Sequence, residues 1–233
     1  MNVKTGQKIQ LTPSLLPENA EGNFIYHSSD PYVATVSNTG VVSTYYPGKT
    51  VITVSMGNSG LTAKVTLNVT GADKRPLHKA YGGQLNVRVN RDGSLTLVSV
   101  NKNVSKYLYL DTIWFNNAER KITKIAPYAF KGNTRIRVIQ CFWQVKSIGK
   151  GAFYGMTRLE TLCLGKNIVR IPANMCRKCK RLDYIELRGV LKSVGNYAFT
   201  GVHKKPYMLV RKKTPLRFRK KIRRQIKTRV YTY

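Results

Sequence analysis

Residues 125–139 read IAPYAFKGNTRIRVI, and the chain writes nearly the same thing three more times. The later copies are IGKGAFYGMTRLETL from Ile148, IPANMCRKCKRLDYI from Ile171 and VGNYAFTGVHKKPYM from Val194, so successive copies start 23 residues apart. At this period Ile125, Ile148, Ile171 and Val194 form one column, and Phe130, Phe153, Cys176 and Phe199 a second. Ile122, Val145, Ile168 and Leu191 form another, followed by Ile139, Leu162, Ile185 and Met208, then Cys141, Leu164, Leu187 and Val210. A short repeat built on L-x-x-L-x-L, spelled here as Leu182-x-x-Ile185-x-Leu187, predicts a stack of coils. Each coil buries its apolar face only against its neighbours.

The wording I-x-x-I-G-x-x-A-F-x-G ahead of that core resembles the BspA-type leucine-rich repeats of bacterial surface proteins. Four units over residues 121–210 carry the resemblance, with Gly132, Gly155 and Gly201 recurring at one position. The third copy departs from it, placing Cys176 where the others have Phe and Lys178 where they have Gly. The resemblance implies a right-handed solenoid with short helical turns and a role in binding at the bacterial exterior.

Residues 1–70 have a different grammar. Short alternating runs, NFIYHSSD, YVATVSNTGVVST and KTVITVSMGNSGLTAKVTLNV, are separated by Asn38-Thr39-Gly40, Pro47-Gly48 and Asn58-Ser59-Gly60. Six or seven strands paired into a sandwich are predicted, with Val33, Val36, Val41, Ile52, Val54, Val65, Leu67 and Val69 inside. YHSSDPYVATVSNTGVV followed by PGKTVITV resembles the bacterial Ig-like domain, group 2, with Tyr26 where that family commonly has Trp and Thr50 where it commonly has Ala. This implies a spacer or presentation module without catalytic residues. Residues 71–120 read as linker and N-terminal closing strands of the solenoid, through GQLNVRV, SLTLVSV and KYLYLDTIWF. In residues 211–233, TPLRFRKKIRRQIK predicts a basic helix with Thr214 as N-cap and Pro215 at the first helical position. Phe218, Ile222 and Ile226 form its apolar stripe, set to close the open end of the repeats. The expected fold is therefore mainly β: an Ig-like sandwich, a leucine-rich-repeat solenoid and a C-terminal capping helix.

Charge points to the partner. The chain holds 41 Lys and Arg against 10 Asp and Glu, a net +31. Residues 71–233 carry 37 of these bases and seven of the acids. Such a field attracts polyanions and says nothing about fold. Arg135, Arg158, Arg181 and Lys204 place one cation per repeat at one register, and Lys124, Lys146, Arg170 and Lys192 add charge in the I-x-x-I segments. These eight are the candidate ligand-binding residues. The expected partners are an anionic glycan, a cell-wall polymer or a host surface glycoprotein, with extracellular nucleic acid a further possibility. Nucleic-acid recognition proper lacks a reader motif.

Other chemistries are weakly supported. Cys141, Cys163, Cys176 and Cys179 include a C-x-x-C, but Cys141 and Cys176 occupy apolar columns and Cys163 faces the opposite side of its strand. Packed or free thiols are expected in place of zinc or disulfides. Glu160 and Asp183 recur at the repeat period, across neighbouring strands, close enough for a glycosidase-like carboxylate pair. A solvated ion-pair ladder headed by Arg137 is the simpler reading. No Walker, H-E-x-x-H, G-x-S-x-G or dinucleotide motif occurs, so no cofactor, metal or catalytic residue is expected. No apolar run is long enough for an integral membrane segment, and a secretion signal, if one existed, is expected to have been removed ahead of Met1. The sequence thus predicts a non-enzymatic, extracellular or surface-bound adhesion protein. Its alternatives are attachment to the bacterium's own wall, or a glycan-active enzyme using Glu160 and Asp183.

Overall fold

The computed structural model describes residues 1–14, 22–57, 59–116 and 118–233; Asn58, read above as part of a turn, lies outside the described residues. The chain divides into two compact units, Met1–Pro76 and Leu77–Tyr233.

In the first unit, one sheet runs Asn2–Lys4, Thr62–Thr70, Gly48–Met56, Phe24–Ser28, and a second runs Lys8–Gln10, Val41–Thr44, Ala34–Val36. All pairings are antiparallel except the first, Asn2–Lys4 with Thr62–Thr70. Val3, Ile52, Leu67 and Val69 from one sheet meet Ala34 and Val42 from the other, with Val33 beside them. The alternation in Val41–Thr44 runs opposite to the sequence reading, burying Val42 and Thr44 and leaving Val41 half-buried. Val36 and Val65 pack at the margin of the core. Gly40 closes the hairpin at φ +80, and a Cβ there would sit 2.9 Å from both the Leu11 carbonyl and the Tyr26 hydroxyl. Thr50 is buried but satisfied, since its hydroxyl lies 3.1 Å from that of Ser28 and accepts the Asp30 amide at 3.0 Å. That local network accounts for a hydroxyl where an alanine is usual, because an unpaired buried hydroxyl would be costly.

In the second unit, six parallel strands form one sheet in the order Tyr107–Leu110, Val138–Cys141, Thr161–Leu164, Tyr184–Leu187, Tyr207–Val210, Val230–Thr232. The central register pairs Ile139 with Leu162, Leu162 with Ile185 and Ile185 with Met208, which is the sequence period expressed as hydrogen bonding. Alternation does the rest, with Ile139 and Cys141 inward and Val138 and Gln140 outward, and likewise along the next two strands. Shorter pairings repeat on the opposite side of each coil, Ile125 with Ile148 and Ile171 with Val194. Leu85, Val87, Leu95 and Leu97, from the antiparallel strands Leu85–Val89 and Leu95–Val100, complete the same core at its N-terminal end.

Between the two strand systems lie single turns closed by i→i+3 bonds. Phe130, Phe153, Cys176 and Phe199 are fully buried there, and the Phe130 and Phe153 rings stand 5.3 Å apart. Neighbouring coils are tied by a second backbone ladder: the Phe130 amide donates to the Ala152 carbonyl, Phe153 to Met175 and Cys176 to Ala198. Each turn ends in left-handed backbone, at Gly132 (φ +69), Gly155 (+70), Lys178 (+66) and Gly201 (+77). The lysine therefore adopts the glycine conformation, keeping the turn despite an unfavourable Cβ.

The Phe199 amide would need a further coil and instead donates to Gln225 Oε1 at 2.9 Å, while Gln225 Nε2 donates to the Gly195 carbonyl. Gln225 belongs to the helix Leu216–Ile226, whose Ile222 and Ile226 are buried in the repeat core and whose Phe218 packs at its edge. Thr214 is not the N-cap. Pro215 holds that position, and the Thr214 hydroxyl accepts the buried Leu191 amide at 3.3 Å. After the helix, Val230–Thr232 adds itself to the sheet beside Tyr207–Val210, a strand that the basic wording of residues 211–233 does not suggest.

Candidate polyanion-binding surface

All eight predicted cations are exposed. Arg135, Arg158, Arg181 and Lys204 each stand just ahead of a strand of the long sheet, at the same offset, so strand pairing repeats them at the inter-strand spacing of about 4.8 Å. Arg135 and Arg158 converge with Lys102, Lys106 and Arg137 on a groove of about 500 Å³, whose remaining lining is Gly132, Asn133 and Thr134. No carboxylate is among these lining residues. Arg135 is held in place, donating from Nε to the Val104 carbonyl at 2.6 Å while its amide and that of Ile136 donate to Asn133 Oδ1. Arg181 and Lys204 continue the column without lining the groove.

The second set of cations is not one column. Lys124 pairs with Ser147 and Arg170 with Ser193, so Lys124 and Arg170 share a register that serines occupy in the alternate coils. Lys146 and Lys192 sit one position earlier, their amides donating to the Thr123 and Val169 carbonyls. The intervals between these four cations alternate around the repeat period, one position short and then one over, and a step of one along a strand changes face.

Sequence reasoning missed Lys102 and Lys106, which lie upstream of the four aligned copies and reach the groove only through the pairing of Tyr107–Leu110 with Val138–Cys141. It also missed an aromatic stack. On the outward face of the sheet, Tyr184 and Tyr207 lie 5.8 Å apart at 11°, and Tyr207 and Tyr231 lie 4.6 Å apart at 18°. The step of one full period from Tyr184 to Tyr207 was a readable signal, whereas Tyr231 arrives through the unforeseen last strand. Beside the stack, Arg188 donates to Glu186 at 2.9 Å, a bond that raises the arginine's pKa. Burial, followed by the Glu186 charge, pushes the Cys163 thiol up to about 11. Burial also raises the Cys141 and Cys176 thiols, and Cys179 Sγ donates to the Phe153 carbonyl at 2.9 Å. All four cysteines are unpaired thiols, and among the described residues no cluster of three or more His, Cys, Asp or Glu side chains is placed to hold a metal.

Of the carboxylate pair, Glu160 meets Arg137 at 3.4 Å with both side chains about two-fifths exposed, while Asp183 is exposed. At the C-terminal end, Lys220, Arg223, Arg224 and Lys227 line a shallow depression of about 330 Å³ on the outer face of the helix. No described helix is long and apolar enough to cross a membrane.

Comparison with known families matches this geometry. The BspA type leucine rich repeat region matches residues 99–210 in six copies, and the bacterial Ig-like domain (group 2) matches residues 1–67. This chain joins a bacterial Ig-like domain to BspA-type leucine-rich repeats. The repeat match begins upstream of the four copies in residues 121–210 and takes in the strand Tyr107–Leu110. A leucine-rich repeat protein from Bacteroides ovatus is similar at 18% identity and TM-score 0.47, over 55% of this chain and 36% of that one. A second from Bacteroides capillosus is similar at 22% and 0.44, over 54% of this chain and 98% of that one. A leucine-rich cell surface protein from Faecalibacterium prausnitzii is similar at 14% and 0.43, over 62% and 39%. The chain thus spans about a third of the length of the first of these structures. No curated protein matches it.

Proposed function

We propose that this is a non-enzymatic binding protein of the bacterial surface or its surroundings. Its repeats form a solenoid closed by the C-terminal basic helix, and the Ig-like sandwich serves as a spacer. The repeat surface takes an anionic polymer, such as an acidic glycan, a cell-wall polymer or a host glycoprotein. One observation carries this reading: five cations, Lys102, Lys106, Arg135, Arg137 and Arg158, line one groove without a lining carboxylate. Among the described residues, only Arg137 of these five has an acidic partner at ion-pair distance, at 3.4 Å. Stacked like charges repel, and a polyanion laid along the column Arg135, Arg158, Arg181, Lys204 relieves that repulsion at several points at once. Each exposed contact contributes only about 0.2–1 kcal/mol. Affinity therefore comes from their number and declines as salt shortens the Debye length from about 10 Å at 0.1 M to about 3 Å at 1 M.

The test is binding of the whole chain to immobilised teichoic acid and hyaluronan at rising salt, with the double variant Arg135→Ala/Arg158→Ala alongside. Loss of affinity with salt and on substitution is expected. Binding that ignores both would remove the proposal. Attachment to the bacterium's own wall is favoured by a separate observation, the outward cluster Lys220, Arg223, Arg224 and Lys227, and replacing these four by Ala separates it from the groove. A glycan-active role for Glu160 and Asp183 competes with the engagement of Glu160 by Arg137. Hydrolysis of a glycan that is lost in Glu160→Ala would favour it.

A further inference from the structure

The chain has two tryptophans, and both are on the surface: Trp114 is 69% exposed and Trp143 54%. Tryptophan is on average highly buried, so a pair of them in water needs a reason. The local structure shows why neither is inside. The strand Thr112–Phe115 pairs antiparallel with Ala118–Ile125, and its alternation sends Ile113 and Phe115 into the core. Trp114 is left outward opposite Glu119, and Thr112 stands opposite Lys121. Trp114, Glu119 and Lys121 therefore share the exposed face of one hairpin. Trp143 lies in the turn after Val138–Cys141, where Asn167 Nδ2 donates to its carbonyl at 2.5 Å, and the Lys121 ammonium stands 6.0 Å from its ring centre. Lys121 thus belongs both to the hairpin face of Trp114 and to the surroundings of the Trp143 ring.

Glu119 and Lys121 also line a cavity of about 570 Å³, together with Asp92, Ser94, Arg120, Thr123 and Lys146 among others; neither tryptophan is in its lining. Its polar equipment is partly committed and partly not. Ser94 donates to Asp92 Oδ1 at 2.6 Å and lies 2.8 Å from the Thr123 hydroxyl. Arg120 donates from Nη1 to the Gly93 carbonyl at 3.1 Å, while its buried Nε has no acceptor. Unlike the groove of Arg135 and Arg158, this lining is mixed in sign. Asp92 and Glu119 oppose a dense polyanion, and Glu119 can accept hydrogen bonds from hydroxyl groups. Lys121, Lys146 and Arg120 suit one carboxylate at a time. Flat aromatic faces, hydroxyl-bonding groups of both kinds and a modest excess of positive charge describe a site for a sugar ring that carries a carboxylate. A membrane surface would use the indoles but has no need for the carboxylates among them.

We propose that Trp114, Lys121 and Trp143, with the adjoining cavity, form a binding site for a uronate-type pyranose unit of an acidic polysaccharide. The site is separate from the groove of Arg135 and Arg158 and stands on its own observation. Because both of the chain's tryptophans are in it, tryptophan emission, excited selectively over the tyrosines, reports on this site. The whole chain is titrated with oligogalacturonate and with hyaluronan oligosaccharides at physiological ionic strength, with maltotetraose, inorganic polyphosphate and anionic phosphatidylglycerol vesicles as comparison ligands. A saturable emission change with at least one of the uronate ligands is expected. Trp114→Ala and Trp143→Ala should each weaken that binding at least about tenfold, since aromatic anchors dominate such contacts. Lys64→Ala, at an exposed lysine that lines neither the cavity nor the groove, should leave the emission-detected affinity within about twofold. Both tryptophan side chains are exposed, so unchanged melting of the variants separates lost binding from lost fold. No emission change with either uronate ligand overturns the proposal. So does a response as strong to maltotetraose or polyphosphate, a response to vesicles alone, or uronate binding indifferent to both tryptophan substitutions.

Discussion

At position 178, glycine should be more stabilising than alanine, the reverse of their order in ordinary backbone. Lys178 occupies a column whose other members are Gly132, Gly155 and Gly201, and it shares their left-handed φ, +66 against +69, +70 and +77. Its amide donates to the Thr200 carbonyl at 3.0 Å, a bond that any residue keeps. A Cβ in this conformation costs about 1–2 kcal/mol. Glycine gives back about 0.4–1 kcal/mol through the freedom it adds to the unfolded chain. The difference leaves Lys178→Gly more stable than Lys178→Ala by about 0.5–1 kcal/mol, or about 1–4 °C in a unit of this size. Against the native lysine the gain is smaller, because the ammonium lies 5.9 Å from the Tyr154 ring, a contact of about 0.5 kcal/mol when exposed. Both tryptophans lie in Leu77–Tyr233, so a thermal melt followed by tryptophan emission reads this unit without contribution from the other. If Lys178→Ala melts at or above Lys178→Gly, left-handed strain is not what the turn carries, and the account of the third repeat fails.

Other consequences follow from single contacts. A Cβ at Gly195 would sit 2.2 Å from the Ala173 nitrogen and 2.5 Å from the Pro172 carbonyl carbon, backbone atoms that cannot move aside. Gly195→Ala should cost about 3 kcal/mol or more. Gly132→Ala, with nothing within 4 Å, should cost about 1 kcal/mol through φ alone, and equal urea midpoints for the two variants would contradict the packing argument. Gln225→Ala strips the partners of the Phe199 amide and the Gly195 carbonyl, for a loss of about 1–3 kcal/mol and faster hydrogen exchange at Phe199. Unchanged exchange there would mean that another group serves that amide. Three thiols are buried and the fourth, Cys163, titrates near 11, so at pH 8 its thiolate population is about a hundredfold below that of an ordinary cysteine of pKa 9.0. A disulfide reagent should find no fast thiol in the native chain and four after denaturation. One rapid native equivalent would refute the raised pKa of Cys163.

The sequence by itself determined the period, the inward columns and the sign of the charge. Each coil buries the same positions against the next, so Ile139, Leu162, Ile185 and Met208 had to recur once per coil for the stack to exclude water, and such a demand is written directly in residue type. It also announced one cation per coil, because Arg135, Arg158, Arg181 and Lys204 ride on that period. Only the tertiary structure decided what happens where the period stops. Tyr107–Leu110 and Val230–Thr232 join the sheet through backbone groups that every residue possesses, so their side chains did not mark them as members. Thr214 looked like a cap by local wording but found a stronger claim in the Leu191 amide, a partner one full coil earlier in the chain. Lys102 and Lys106 met Arg135, and Lys121 met Trp143, only because strand pairing carried distant segments together. Hydrophobic burial repeats with the chain and is legible along it. Contact between segments that share no repeat depends on geometry that three dimensions alone supply.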